Sequence, residues 1–351
     1  IHYTSLNLRR NAIVKYKYET GKSVDTIFNS SNFDEKLLDW IYDYSFNADE
    51  SKILLSVQHE SIYRHSFKAE YFIYDIEKKS LLRLSENGKQ QLASFAPNGD
   101  RIAFVRDNNI FMRDISDVEN AEIQLTTDGE WNKIINGAPD WVYEEEFSFY
   151  QAYQWSPDSK KIAFYKTDET NVKMFTMTTY GNLYPDRYDY KYPKAGEENS
   201  KISIHVIDVD NLKTLELDLG NMDDIYIPRI LWTNQADVLS VIKMNRLQNK
   251  YELFLSDANT GKSQVILTLE DDKYIEIDDN LQFINNNANF FVTHENSGFR
   301  HIYLYDINGN LVNQLTKGDW EVTKLYGYDS KNKLVYFQAA KSSPLNRDVY
   351  S

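Results

Sequence analysis

The chain has 351 residues, 42% of them hydrophobic, no cysteine and a formal net charge of −14. The length admits one large all-β domain or two or three smaller ones, and the missing cysteines exclude disulfide, thiol and zinc–thiolate chemistry. The acidic balance argues against nucleic acid or an anionic membrane as partner and favours a cationic ligand, such as a peptide with a free amino terminus.

Aromatics make up 14% of the residues, with 26 Tyr, which suits strands buried on one face and wet at one end. No apolar run approaches the roughly 18 residues of a membrane span. The chain begins at Ile1 and shows no signal-like apolar stretch, so it reads as a processed or excised segment.

Taken in order, the chain repeats one pattern. An aromatic residue precedes a polar turn and an apolar strand: Phe46-Asn47-Ala48-Asp49-Glu50 before Ile53–Val57, Phe95-Ala96-Pro97-Asn98-Gly99-Asp100 before Ile102–Val105, and Trp155-Ser156-Pro157-Asp158-Ser159-Lys160 before Ile162–Tyr165. Weaker copies start at Trp232, Phe283 and Tyr328. A strand running into Asp follows in Phe72–Asp75, Ile110–Asp114, Ile204–Asp208, Leu253–Asp257 and Ile302–Asp306, often with a last short strand such as Leu82–Ser85. Four short strands over roughly 40 to 60 residues is the content of a propeller blade, which cannot bury both faces alone but can against neighbours. The expected fold is all-β: a β-propeller of four-stranded blades over residues 1–351, with about seven blades present and the last stopping near its third strand.

Two insertions break the rhythm. Residues 127–151 hold Asp140-Trp141-Val142-Tyr143-Glu144-Glu145-Glu146-Phe147, three acids framed by large aromatics. Residues 169–200 are rich in Tyr and read either as a surface loop or as an extended arm packing on another subunit. Burying acids without partners is costly, so the cluster has basic neighbours or awaits a cation. In a strand Glu145 and Glu146 would point to opposite faces. For the two to converge the segment must be a helical turn or a tight irregular loop, and a short helical turn inserted in a blade is expected.

Several other signals carry no chemistry. Gly21-Lys22-Ser23 and Gly261-Lys262-Ser263 lack the earlier glycine of a phosphate-binding loop, since Tyr16 and Ser256 stand there, and both read as hairpin turns. No Gly-x-Ser-x-Gly elbow occurs. The six His, including the pair His59 and His65, have no metal-ligand spacing, so no metal and no cofactor are expected. Arg64-His65-Ser66 opens the strand leading to Tyr74-Asp75, and Arg64 suits carboxylates and carbonyls.

These residues carry a resemblance. The stretch Asp140–Phe147 looks like the double-glutamate motif of the dipeptidyl peptidase IV family. Tyr192-Pro193-Lys194-Ala195-Gly196 looks like the end of that family's arm, and Arg64-His65-Ser66 resembles its arginine segment. Gly298-Phe299-Arg300-His301-Ile302 and Lys317-Gly318-Asp319-Trp320-Glu321-Val322 resemble later propeller segments. The family fold is an eight-bladed propeller followed by an α/β-hydrolase domain. The resemblance implies a substrate-gating propeller of a serine dipeptidyl peptidase that releases X-Pro or X-Ala dipeptides. It implies that Glu145 and Glu146 hold the peptide's α-ammonium, that Arg64 binds a backbone carbonyl and orders the glutamates, and that His65, Trp141 and Tyr143 support them, with Glu144 structural. The family's hydrophobic wall has no counterpart motif near Tyr274–Asn280, which is short and acidic. No catalytic residue lies in this chain, so alone it should be inactive. A periplasmic or secreted setting and a homodimer formed partly through the arm near Asn171–Glu198 are also implied. The competing reading is a non-enzymatic propeller used as a protein-interaction scaffold.

Overall fold

The computed structural model describes residues 1–116, 119, 121–277 and 279–351. Two compact units are formed, residues 1–159 with 164–200 and residues 160–163 with 201–351. Among the described residues no helix is long and apolar enough to cross a membrane.

In the first unit β1 (His2–Leu6), β2 (Ala12–Lys17) and β3 (Ser23–Asn29) make a three-stranded sheet. Four-stranded sheets follow, in chain order: β4 (Ile41–Phe46), β5 (Lys52–Ser61), β6 (Phe67–Asp75) and β7 (Ser80–Arg83), then β8 (Gln91–Phe95), β9 (Arg101–Arg106), β10 (Asn109–Asp114) and β11 (Glu122–Gln124). Next come β12 (Ile134–Asn136), the single α-helix of the described residues, α1 (Trp141–Glu145), β13 (Tyr153–Trp155), β14 (Lys161–Asp168), and the hairpin β15 (Met174–Thr179) and β16 (Asp186–Lys191). The second unit holds the pair β17 (Lys201–Asp208) and β18 (Thr214–Glu216). Four-stranded sheets again follow: β19 (Ile225–Trp232), β20 (Val238–Asn245), β21 (Lys250–Asp257) and β22 (Ser263–Glu270), then β23 (Gln282–Ile284), β24 (Asn289–His294), β25 (His301–Asp306) and β26 (Leu311–Gln314). A three-stranded sheet of β27 (Val322–Asp329), β28 (Leu334–Ala339) and β29 (Asp348–Tyr350) ends the chain.

Within each unit, adjacent sheets share their cores. Ile13 and Phe28 of the first sheet pack with Ile53, Leu55 and Phe72 of the second. The other face of that second sheet, through Leu54, Tyr71 and Ile73, packs with Ile102, Phe104 and Phe111 of the third. The same sharing joins Leu253 to Phe290, and Phe291 to Val322 and Phe337, in the second unit. Burying both faces of each sheet is what the apolar strands require, at about 1.5–3 kcal/mol for each large side chain.

The repeat has a local cause. In the strands that run into Asp75, Asp114, Asp208, Asp257 and Asp306, the Asp carboxylate accepts backbone N–H groups just beyond the strand. Asp208 takes those of Asp210 and Asn211, Asp257 those of Asn259 and Thr260, and Asp306 those of Asn308 and Asn310. Asp75 and Asp114 make the same kind of turn with Lys78 and Ser116. In the three clearest copies the earlier turn has one left-handed residue, Glu50 (φ 59°), Gly99 (φ 77°) or Ser159 (φ 64°). Its N–H donates three residues back, to Asn47, Ala96 or Ser156.

The helical insertion and the arm are both present, the arm as an antiparallel hairpin pairing Met174 with Lys191 through to Thr179 with Asp186. Two details differ from the sequence reading. The first sheet has three strands, not four: after β3 the chain turns into short 3₁₀ helices at Ser30–Asn32 and Lys36–Asp39 before β4 begins, while the last sheet stops at its third strand as expected. Arg64 does not open a strand. It lies in a turn closed by the Ile62 N–H on the Ser66 carbonyl at 2.8 Å and the Tyr63 N–H on the Ser66 hydroxyl at 3.3 Å, with β6 starting only at Phe67.

Candidate functional site

The acidic stretch is a single helical turn with a strong start. The Asp140 carboxylate accepts the Tyr143 N–H at 3.0 Å, as an N-cap does. The Ser200 hydroxyl donates to its other oxygen. Burial pushes the Asp140 carboxyl above its ordinary range, against the pull of these bonds. Tyr143 is buried, its ring 5.0 Å from Phe147, 5.8 Å from Phe149 and 6.1 Å from Tyr165. Trp141 meets Tyr192, at the return of the arm, edge-on at 4.5 Å. The aromatic frame therefore fixes the helix from both sides.

The three glutamates diverge in role. Glu144 is buried, and its Oε1 accepts the N–H of His65 at 2.7 Å and of Ser66 at 3.0 Å. Glu145 receives the Nε of Arg64 on both oxygens, at 3.1 and 2.9 Å. Glu146 follows the helix as its C-cap, exposed, with no side-chain partner among the described residues. His65 reaches the site through its backbone, its side chain being exposed. The structure thus brings Arg64, His65, Glu144 and Glu145 together, with Glu146 adjacent and Trp141 and Tyr143 beneath.

Electrostatics leave this arrangement short of positive charge. Carboxylates at the end of a helix oppose its dipole, and no basic residue stands in the last turn of α1. Arg64 offsets one of them. The side chain of Arg64 is 69% exposed and that of Glu145 19%, so the pair contributes only about 0–1 kcal/mol to folding. Its bonds to Glu145 use Nε alone, and the terminal nitrogens of Arg64 have no partner among the described residues. One carboxylate and one guanidinium edge are left without a partner among the described residues.

The family model described as the dipeptidyl peptidase IV N-terminal region matches residues 47–351. This chain belongs to that family. Among its relatives, dipeptidyl peptidase 4 of Trichophyton equinum is 32% identical over 326 residues, covering 88% of this chain and 41% of the relative. A probable dipeptidyl peptidase 4 of Aspergillus fumigatus is 30% identical, covering 90% and 43%. The crystal structure of Porphyromonas gingivalis dipeptidyl peptidase 4 superposes with a TM-score of 0.91 at 42% identity, over 99% of this chain and 50% of that one. A putative dipeptidyl aminopeptidase IV from Bacteroides ovatus, at 21% identity and a TM-score of 0.72, shows the same fold over 94% and 48%. The fold is accordingly a β-propeller, and the chain spans half or less of the length of the proteins it matches.

Several residues of this dipeptidyl peptidase IV propeller region escape a sequence reading. A cavity of about 400 Å³ is lined by Tyr63 and Ser66 of the arginine turn, Pro139, Glu169, and Tyr188 and Tyr190 of the arm, and by none of the three glutamates of α1. Glu169 is buried, and its carboxyl is pushed up to about 7 by burial and then by the charge of Asp140. Burial also pushes the Tyr63 phenol up. Nothing in the local sequence marks Glu169 or Ser200, because their partners lie far along the chain, Asp140 for Ser200 and Asp140 with Lys191 for Glu169. The segment near Tyr274–Asn280 leaves Tyr274 half exposed, and Asp278 in it lies outside the described residues.

Proposed function

We propose that this chain is the substrate-anchoring, gating propeller of a serine dipeptidyl peptidase that releases X-Pro or X-Ala dipeptides from peptide amino termini. The observation that carries this is the exposed Glu146, without a side-chain partner among the described residues, beside a Glu145 held by Arg64. The family membership supports it, since the relatives are named dipeptidyl peptidases.

In this reading the α-ammonium sits between Glu145 and Glu146. At 4 Å and an effective dielectric near 20, each carboxylate attracts it by about 4 kcal/mol before desolvation. The free edge of Arg64 takes a backbone carbonyl of the same peptide. Two extended residues reach about 7 Å, so an anchor at the amino terminus sets where cleavage falls. The nucleophile belongs to a following α/β-hydrolase domain, and this chain alone contributes binding and access. The exposed arm joins two copies into a homodimer.

The test uses the full-length protein. Glu145→Gln and Glu146→Gln should each lower kcat/KM on an X-Pro chromogenic substrate by about 100-fold or more, as loss of one such attraction implies, with an unchanged thermal unfolding curve. Wild-type turnover in either variant would sink the reading.

A further inference from the structure

We infer that Glu144 is the positioning residue of the anchor: it holds the arginine turn against the helix, so that Arg64 and Glu145 meet. This rests on the reading that Arg64, Glu145 and Glu146 bind the peptide. Glu144 itself is buried.

The geometry is a two-point lock. Residues 144 and 145 face residues 64 to 66 across 78 to 81 positions of sequence. Glu145 takes the Arg64 side chain, and Glu144 takes the next two backbone N–H groups of the same turn. The two locks differ in strength. A mostly exposed Arg–Glu pair fixes its partners weakly. A buried carboxylate accepting two amides makes two charge-assisted bonds, and removing it strands both donors away from water. The backbone of Arg64 is therefore placed by Glu144, and only its side chain by Glu145.

The use of the oxygens is lopsided. Oε1 accepts both amides, while Oε2 is buried and has no hydrogen-bond partner among the described residues. An amide nitrogen in the place of Oε2 removes no bond, and the carbonyl of a glutamine still accepts both N–H groups. Glutamine should thus restore what alanine loses at position 144. That separates Glu144 from Glu145 and Glu146, whose proposed work needs charge.

The experiment compares Glu144→Ala, Glu144→Gln, Arg64→Ala and the double variant Arg64→Ala/Glu144→Ala in the full-length protein. The readouts are steady-state kinetics on an X-Pro chromogenic substrate and hydrogen exchange over residues 62–67. Glu144→Ala is expected to raise KM about 10-fold with a smaller change in kcat, and to speed exchange over that segment, within the range of coupled contacts. Glu144→Gln is expected to recover KM to within about 3-fold of wild type and to keep the protection. In the Arg64→Ala background, Glu144→Ala should add less than about 2-fold, because the residue it positions is gone. Glutamine as damaging as alanine, or losses that multiply in the double variant, would overturn the assignment. If the alanine variant does not fold, exchange in Glu144→Gln decides alone, and lost protection there counts against the lock. Failure of the anchoring reading looks different: Arg64→Ala then leaves KM unchanged, while the exchange result still tests the lock.

Discussion

Glu169 is where the first unit carries the least comfortable charge. It follows β14 at the root of the arm, its N–H donating to the Lys133 carbonyl at 2.8 Å and its own carbonyl accepting the Val172 N–H at 3.0 Å. The residue is 5% exposed. Burial raises its carboxyl most, Asp140 and Asp168 raise it further, and Lys191 only partly opposes them. The sign follows from linkage. Below about 4.5 both the folded and unfolded carboxyls are protonated and the group is neutral to stability. Between about 4.5 and about 7 the unfolded chain releases a proton that the folded one keeps, so stability falls as pH rises; above about 7 the loss is constant. Glu169→Gln should therefore match wild type at pH 4 and exceed it at pH 8 by on the order of 2 kcal/mol in urea unfolding. A difference that does not change with pH would mean that the folded Glu169 carboxyl titrates as it does in the unfolded chain, with Lys191 cancelling burial.

At the scale of the element, two turns with the same three residues make a test of context. Gly21-Lys22-Ser23 joins β2 to β3, and Gly261-Lys262-Ser263 joins β21 to β22. Both glycines are left-handed, at φ 63° and φ 76°. A Cβ on Gly21 would meet open space, whereas one on Gly261 would lie 2.6 Å from the Glu216 carbonyl oxygen, which is backbone and cannot turn aside. Gly21→Ala should cost about 1–2 kcal/mol, the ordinary penalty of a left-handed residue. Gly261→Ala should cost at least about 1 kcal/mol more, because a strand must shift as well. Denaturant midpoints of the two variants measure the gap, and equal losses would show that the neighbouring strand gives way freely.

The same contrast explains what the sequence made legible. A turn after Asp75, Asp114, Asp208, Asp257 or Asp306 is made by bonds spanning two to four residues, so the blade pattern can be read directly along the chain. The helical turn at α1 was legible for a similar reason, since alternation in a strand separates neighbours. The distant partners of the site's supports were not. Ser200 meets Asp140 across 60 residues, and Tyr192 meets Trp141 across the whole arm. The arginine turn looked like a strand because its closure depends on Ser66, a residue type equally at home in either.

At the scale of the whole molecule, the arm has two parts with separable duties. An isolated two-stranded ribbon is marginal in water, and the root of this one is held by aromatic contacts, Phe175 to Tyr192 at 5.3 Å and Tyr192 to Trp141 at 4.5 Å. The tip has no such support: Tyr180, Leu183 and Tyr184 are 84%, 92% and 79% exposed. Large apolar side chains left this open at the end of an ordered ribbon are what a partner surface would bury. Deleting the entire arm would confuse the two duties, because it removes Tyr192 from α1 along with the tip. The clean variant changes Tyr180, Leu183 and Tyr184 to Ser and keeps the root. If the proposed homodimer forms through the arm, this triple variant of the full-length protein should sediment as a monomer at concentrations where wild type is dimeric. Its dissociation constant should be weakened about 100-fold or more, as expected when aromatic anchors are lost from the centre of an interface. KM on an X-Pro substrate should stay near the wild-type value, since the contact between Tyr192 and Trp141 is intact. A triple variant that remains dimeric would move the subunit contact away from the tip, and one that loses both dimer and substrate affinity would show that the root depends on the tip for its order.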